Sequence, residues 1–157
     1  MLIDKLDAET FRTVVENTPL TSIDLIIRNQ EGRVLLGLRN NPPARDYWFV
    51  PGGRILKEEH INESIERISE EELGVRVGVK SCGFAGIFEH MYKENIYGTS
   101  YGTHYIVLAF NVYLGTTNEY LPDKQHRRFQ WFTEEDLLRS ENVHEYTKQY
   151  FKTRGEG

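Results

Sequence analysis

Cysteine is nearly absent: Cys82 stands alone among 157 residues, so no internal disulfide can brace the chain. Its apolar, glycine-containing surroundings read as a strand with a small buried side chain, not a reactive thiol. Long apolar runs are missing too, so no stretch has the length to cross a bilayer as a helix. The opening MLIDKLDAETF lacks the pattern of a secretion signal, and cytoplasm is the expected location. Lysine and arginine form no run, and 19 of them stand against 24 acidic residues for a net charge of −5. A surface that tracks nucleic acid needs phosphate-neutralising cations on one face, so no nucleic acid and no membrane are expected as partners. A local arginine cluster still suffices for a small anion. Repeats, low-complexity tracts and linkers are also lacking, and the length suits one domain spanning residues 1–157. Charged residues at 27% and aromatics at 12% rule against disorder.

Punctuation divides the chain into short elements. Asp7 is placed to cap a first helix carrying Phe11, Val14 and Val15. Leu20–Arg28 and Val34–Leu38 read as strands joined by the turn Asn29-Gln30-Glu31-Gly32. Pro42-Pro43 marks a loop, and Trp48-Phe49-Val50 a short buried run stopped by Pro51-Gly52-Gly53. The clearest helix is Glu59–Leu73, closed by Gly74. Val75–Phe88 and Thr103–Leu114 are long strand-like runs around a polar and aromatic loop, 89–102. A second loop covers 115–127; then come a strand Phe129–Phe132, a short helix from Thr133 and a terminal helix Val143–Phe151. Strands mixed with two or three helices, without a βαβ rhythm, predict an α+β fold.

The stretch 53–75 carries the chemistry. Gly53 is followed after five residues by Glu59, after seven more by Arg67, and then by Ile68-Ser69 and Glu71-Glu72-Leu73-Gly74-Val75. Ile61, Ile65, Ile68 and Glu72 fall on one helical stripe, so three apolar side chains are expected to pack on the sheet and the fourth brings a carboxylate inward. That carboxylate lies at a helix C-terminus, where the negative end of the dipole opposes it, and a cation resolves the conflict. Oxygen ligands point to Mg²⁺ or Mn²⁺, which shares its sphere with water and phosphate. Glu71 can join through a water. Arg67 has Glu63 at four-residue spacing as its expected partner, and can equally orient Glu72 from behind.

This spacing resembles the Nudix box, with one departure: the acid that usually follows the arginine is Ile68, so one ion is expected instead of several. The departures resemble the GDP-mannose mannosyl hydrolase subgroup, and the likeness runs over almost the whole chain. It includes Thr18-Pro19-Leu20, Leu35-Leu36-Gly37-x-Arg39, Tyr47-Trp48-Phe49-Val50-Pro51-Gly52-Gly53-Arg54, Thr103-His104-Tyr105 and Leu121-Pro122-Asp123-Lys124-Gln125-His126. The resemblance implies a mixed sheet sandwiched between helices, a loop-helix-loop box and a homodimer. It also implies release of GDP and free hexose from a GDP-hexose, by attack of water at the anomeric carbon with inversion. One Mg²⁺ is then held by the Gly52 carbonyl, Glu72 and Gln125; His126 is the general base; Arg39, Arg54 and Tyr105 meet the diphosphate; Asp24 and His90 lie around the sugar.

These residue types suit that chemistry on independent grounds. A nucleoside diphosphate departs without the acid that glycosidases need, provided its growing charge is met. A cation and the planar forks of Arg39 and Arg54 meet it. A histidine of ordinary pKa, about 6.5, is largely neutral near pH 7 and can take a proton from water. Two other readings remain open: a phosphorus-attacking pyrophosphohydrolase and a silent nucleotide-sugar binder. His60 and His144 read as exposed helix residues. Phe84, Phe88, Tyr92, Tyr97 and Tyr101 suit a stacking wall or core and dimer surface equally, and Tyr146, Tyr150 and Phe151 read as packing or partner contact, not catalysis.

Overall fold

The computed structural model describes residues 6–114 and 128–152. Four helices and seven strands follow in the order α1 (Ala8–Asn17), β1 (Leu20–Arg28), β2 (Val34–Leu38), β3 (Trp48–Phe49), β4 (Gly52–Arg54), α2 (Ile61–Leu73), β5 (Cys82–Tyr92), β6 (Thr103–Tyr113), β7 (Phe129–Phe132), α3 (Glu134–Arg139) and α4 (Glu145–Lys148). They form one mixed sheet in the order β3-β2-β1-β6-β5, with β4 joined to β1 and β7 to β2. The expected α+β class and the sheet between helices are both present. Among the described residues no helix is long and apolar enough to cross a membrane.

The central strand organises everything else. β1 runs parallel to β6 in unbroken register from Leu20↔Tyr105 to Arg28↔Tyr113. Its other edge is shared: β2 meets it at Arg28↔Val34, while β4 meets it from Ser22↔Arg54 to Asp24↔Gly52. The sheet therefore forks beside Asp24, and the Leu25 N–H donates to the Pro51 carbonyl at 2.8 Å just where the fork begins. One face of the sheet buries Ile23, Leu25, Ile27 and Val112 against Ile65, Ile68 and Leu73 of α2. The other buries Ile26, Val34, Leu36 and Ala109 against Leu137 of α3 and Val143. Ile23, Leu25 and Ile27 of β1 face the first core and Ile26 the second, while Ser22 and Asp24 on that second face line a cavity, the alternation expected of a two-period strand.

Local chemistry explains most boundaries. Asp7 accepts from the Thr10 N–H at 2.8 Å and starts α1, as its position predicts. Gly74, at φ 72°, ends α2 in the left-handed conformation that suits glycine.

Four expectations need correction. α2 begins at Ile61, not Glu59, because Glu59 turns inward ahead of the helix. Ile61 is 45% exposed, so the buried stripe is Ile65, Ile68 and Leu73, with Ser64 and Ser69 filling the crowded flanks. The first long strand starts at Cys82 after a 3-10 turn, Val79–Ser81, and runs on to Tyr92, so Cys82 is half-buried and not core. The terminal helix is only α4 and a following 3-10 turn, Gln149–Phe151.

Candidate active site

A cavity of about 540 Å³ opens at the fork of the sheet. β1 brings Asp24 to its wall, β2 leads to Arg39, β4 supplies Gly52 and Arg54, α2 supplies Arg67, Glu71 and Glu72, and the paired strands β5 and β6 supply His90 and Tyr105. All of the predicted site residues that are described share this one cavity. Gln125 and His126 lie outside the described residues. Elements distant in sequence meet here because β1 pairs with β4 on one side and β6 on the other.

The carboxylate-bearing helix is tied to the site by Arg67. Its guanidinium donates to Glu59 Oε2 at 2.6 Å and Oε1 at 2.9 Å, to the Arg54 carbonyl at 2.7 Å and to Glu71 at 3.1 Å. Glu63, the partner expected from helical spacing, instead accepts from the His60 N–H at 3.1 Å and caps the helix start. A buried acid outcompetes a solvated one for a fork-shaped cation, since the desolvated pair interacts more strongly. Burial pushes Glu59 up, but its bonds from Arg67, Ser64 and the Leu56 N–H prevail and take it down to about 2. Glu59 thus stays ionised and fixes Arg67, which in turn fixes the turn at Arg54.

Ile68 completes that picture. It is 1% exposed and packs where a Cβ on Gly53 would stand, 3.2 Å from Ile68 Cγ1. The position of the usual acid is therefore core, and belongs to the cluster with Ile65 and Leu73. Gly52 is constrained for a different reason: a Cβ there would collide with the Asp24 carboxyl.

Asp24 has the opposite environment to Glu59. Its carboxyl keeps some surface on the cavity side, yet protein atoms desolvate it and push it from 3.8 up to about 6. The Tyr150 phenol donates to Oδ2 at 2.5 Å, and Arg39 lowers the value further, but neither offsets burial. His90 is buried, with its ring stacked flat on Tyr146 at 4.3 Å and 4°. Burial, then His144, holds it down to about 4, so it is neutral at pH 7.

Tyr146 and Tyr150 pack as expected, on His90 and on Phe88, and their hydroxyls also make hydrogen bonds that the sequence did not announce. The Tyr146 hydroxyl donates to the Met91 carbonyl at 2.8 Å and accepts from its N–H at 3.0 Å, closing the outer edge of β5 beside His90. His144 is no exposed helix residue, since it stacks on Phe49 at 4.9 Å. His60 is exposed, as expected, with 84% of its side chain accessible. The supposed aromatic wall divides: Tyr92 lines the cavity, Phe88 packs on Tyr150, Phe84 is 60% exposed and Tyr97 lies under Arg12. Sequence reasoning also missed Phe11 of α1, which lines the cavity with Arg54 over its ring at 4.5 Å.

The donor set suits a hard cation. Glu71 and Glu72 carboxylates and the Gly52 turn all line the cavity, and every one offers oxygen. Among the described residues no three His, Cys, Asp or Glu side chains converge as a complete metal cage. Such a partial oxygen set is what Mg²⁺ tolerates, because it keeps waters and takes the rest of its shell from a substrate phosphate.

A forked mixed sheet held between helices, with the Gly53-to-Val75 box bent around a polar cavity, defines the architecture. The chain belongs to the NUDIX family, whose domain matches residues 18–152. It is a NUDIX hydrolase. It is 38% identical over 146 residues to the low-salt glycan biosynthesis protein Agl8 of Haloferax volcanii, covering 93% of this chain and 88% of that protein. The fold also matches the MutT protein of Methanosarcina mazei Go1, at a TM-score of 0.68 and 23% identity over 86% of this chain and 92% of that one. A MutT NUDIX hydrolase from Burkholderia pseudomallei matches at a TM-score of 0.69 and 21% identity, over 85% and 96% of the two chains.

Proposed function

We propose that this NUDIX hydrolase cleaves a GDP-hexose, GDP-mannose or GDP-glucose, to GDP and free hexose. The observation that carries this reading is Ile68, buried in the core where the box usually presents an acid. Attack at phosphorus draws on that acid, whereas attack at carbon requires only that the nucleotide leave. The likeness to a glycan biosynthesis protein agrees with work on activated sugars.

Glu72, the Gly52 carbonyl and Gln125 would hold one Mg²⁺, with Mn²⁺ as a substitute. When bound, the cation supplies positive charge to the diphosphate oxygens. Arg39 and Arg54 bind the same group and favour the charge that grows on it. His126 removes a proton from a water whose oxygen bonds to the anomeric carbon. The bond from that carbon to the phosphate oxygen breaks, and its electron pair leaves on GDP. Tyr105 contacts the leaving group. Asp24 and His90 hold the sugar, and the ionised fraction of Asp24 favours a cationic sugar carbon. One displacement inverts the configuration. A homodimer in the cytoplasm is part of the same reading.

The second reading, attack at phosphorus, draws support from Glu71 beside Glu72 at the cavity wall. Turnover of GDP-mannose with Mg²⁺ in oxygen-18 water separates the two. Label in the sugar with inverted configuration is the expected result. Label in phosphate, with GMP and sugar phosphate as products, overturns it. Chelation of the metal is expected to lower turnover at least ~1,000-fold and its return to restore it, measured as GDP release.

A further inference from the structure

We propose that Tyr150 is a positioning residue of this active site, holding Asp24 and His90 in place through its single hydroxyl. The proposal rests on the reading above that these two side chains meet the sugar. Tyr150 follows Asp24 by 126 residues and arrives on the 3-10 turn Gln149–Phe151. It stands behind the cavity wall, which includes Asp24 and His90 but not Tyr150. Its hydroxyl donates to Asp24 Oδ2 at 2.5 Å and lies 3.4 Å from His90 Nε2.

Packing alone does not require that oxygen. The ring meets Phe88 edge-on at 4.8 Å, a contact a phenyl group makes equally well. The hydroxyl, by contrast, donates to a cavity carboxylate, Asp24, that Arg39 influences only through space. Burial, then the Asp24 charge, pushes the phenol well above the ordinary tyrosine range, so it remains a donor at every working pH. A carboxylate held by a neutral donor is kept in one rotamer while its charge stays available to a substrate. An arginine partner, as at Glu59, would neutralise it.

The second link is to His90. Its ring is clamped on one side by the coplanar stack on Tyr146, and its Nε2 end abuts the Tyr150 oxygen. The terminal segment therefore sets the orientation of two cavity residues that come from β1 and β5. Without the hydroxyl, Asp24 loses its donor and can rotate or admit water, and His90 loses its stop.

Tyr150→Phe in the full chain tests this. The expected result with GDP-mannose and Mg²⁺ is a fall in kcat of at least tenfold, with KM and the Kd for GDP within twofold of wild type. In an Asp24→Asn background the same substitution is expected to cost less than twofold more, because the 2.5 Å bond to that carboxylate carries most of the effect and the 3.4 Å contact with His90 little of it. Tyr150→Leu serves as the second variant, with the same expected split, should Tyr150→Phe not fold. Wild-type kcat in Tyr150→Phe, a loss confined to GDP binding, or losses that multiply in the double variant would each overturn the proposal. A wild-type protein that releases no free hexose overturns the proposed reaction and this role together, whereas an active wild type with an equally active Tyr150→Phe overturns only the role.

Discussion

Glu59 and Asp24 are both carboxylates drawn into the protein, 35 positions apart, and their surroundings drive them in opposite directions. The Glu59 side chain is 0% exposed and receives both nitrogens of the Arg67 fork, the Ser64 hydroxyl and a backbone N–H. It remains ionised down to about pH 2. Asp24 has one phenol and a more distant Arg39, and it rises to about 6. Burial acts on both acids with the same sign; the donors decide the outcome. A saturated acid is a fastener, whereas an acid with one neutral donor keeps its charge adjustable near physiological pH.

Neutralising each acid should separate stability from activity. Glu59→Gln leaves Arg67 charged and half-deserted inside the protein, and the expected loss is roughly 3–5 kcal/mol in denaturant unfolding. Arg54 loses its anchor with it, so turnover falls as well. Asp24→Asn keeps an acceptor for Tyr150 and removes a desolvated charge, so its stability is expected within about 1 kcal/mol of wild type. Its turnover of GDP-mannose is nevertheless expected to drop about 100-fold, the scale of one lost electrostatic contact at a reacting centre. Equal stability losses in the two variants would erase the distinction.

The smallest effect is in the pH dependence of stability without metal. Glu59 is lowered from 4.5 to about 2, so its contribution is present above 4.5 and disappears as pH falls through 2. His90 is lowered from 6.5 to about 4, so protonation favours the unfolded chain and stability declines as pH falls across that interval. Asp24 is raised from 3.8 to about 6; its contribution is present below 3.8 and lost as pH rises through 6. Asp24 and His90 therefore oppose each other between pH 4 and 6. Wild type is expected to show a shallow slope there and a steeper loss below 4. Asp24→Asn is expected to lose stability from 6.5 downward, as followed by urea unfolding across pH. An unchanged slope in that variant would remove Asp24 from the account.

The same two acids show why part of the site was legible and part was not. The α2 box was readable because helical spacing is local: Ile65, Ile68 and Glu72 share a stripe whatever surrounds them. The strands β1, β2, β6 and β7 were readable from alternation and turn residues, and their bounds fell within a residue of expectation. The partner of Arg67 was not, because Glu63 and Glu59 are both within reach in sequence and only burial ranks them. The start of β5 was misplaced because Val75 and Val77 belong to the approach from α2, where Val77 enters the core and its N–H bonds Ser69 at 2.8 Å. Tyr150 carried no local signal at all, since its role exists only through a contact across the whole domain.

By itself the chain determined a helix with a carboxylate at its last turn, a bare Pro-Gly-Gly turn and an isoleucine at position 68 where the box usually has an acid, because each depends on neighbours a few residues away. Tertiary structure alone decided that β1 forks the sheet beside Asp24, that Arg67 locks Glu59, and that a terminal tyrosine reaches the cavity wall. Those choices depend on which side chains lose water together, and desolvation is a property of three-dimensional neighbourhoods that no spacing along the chain encodes.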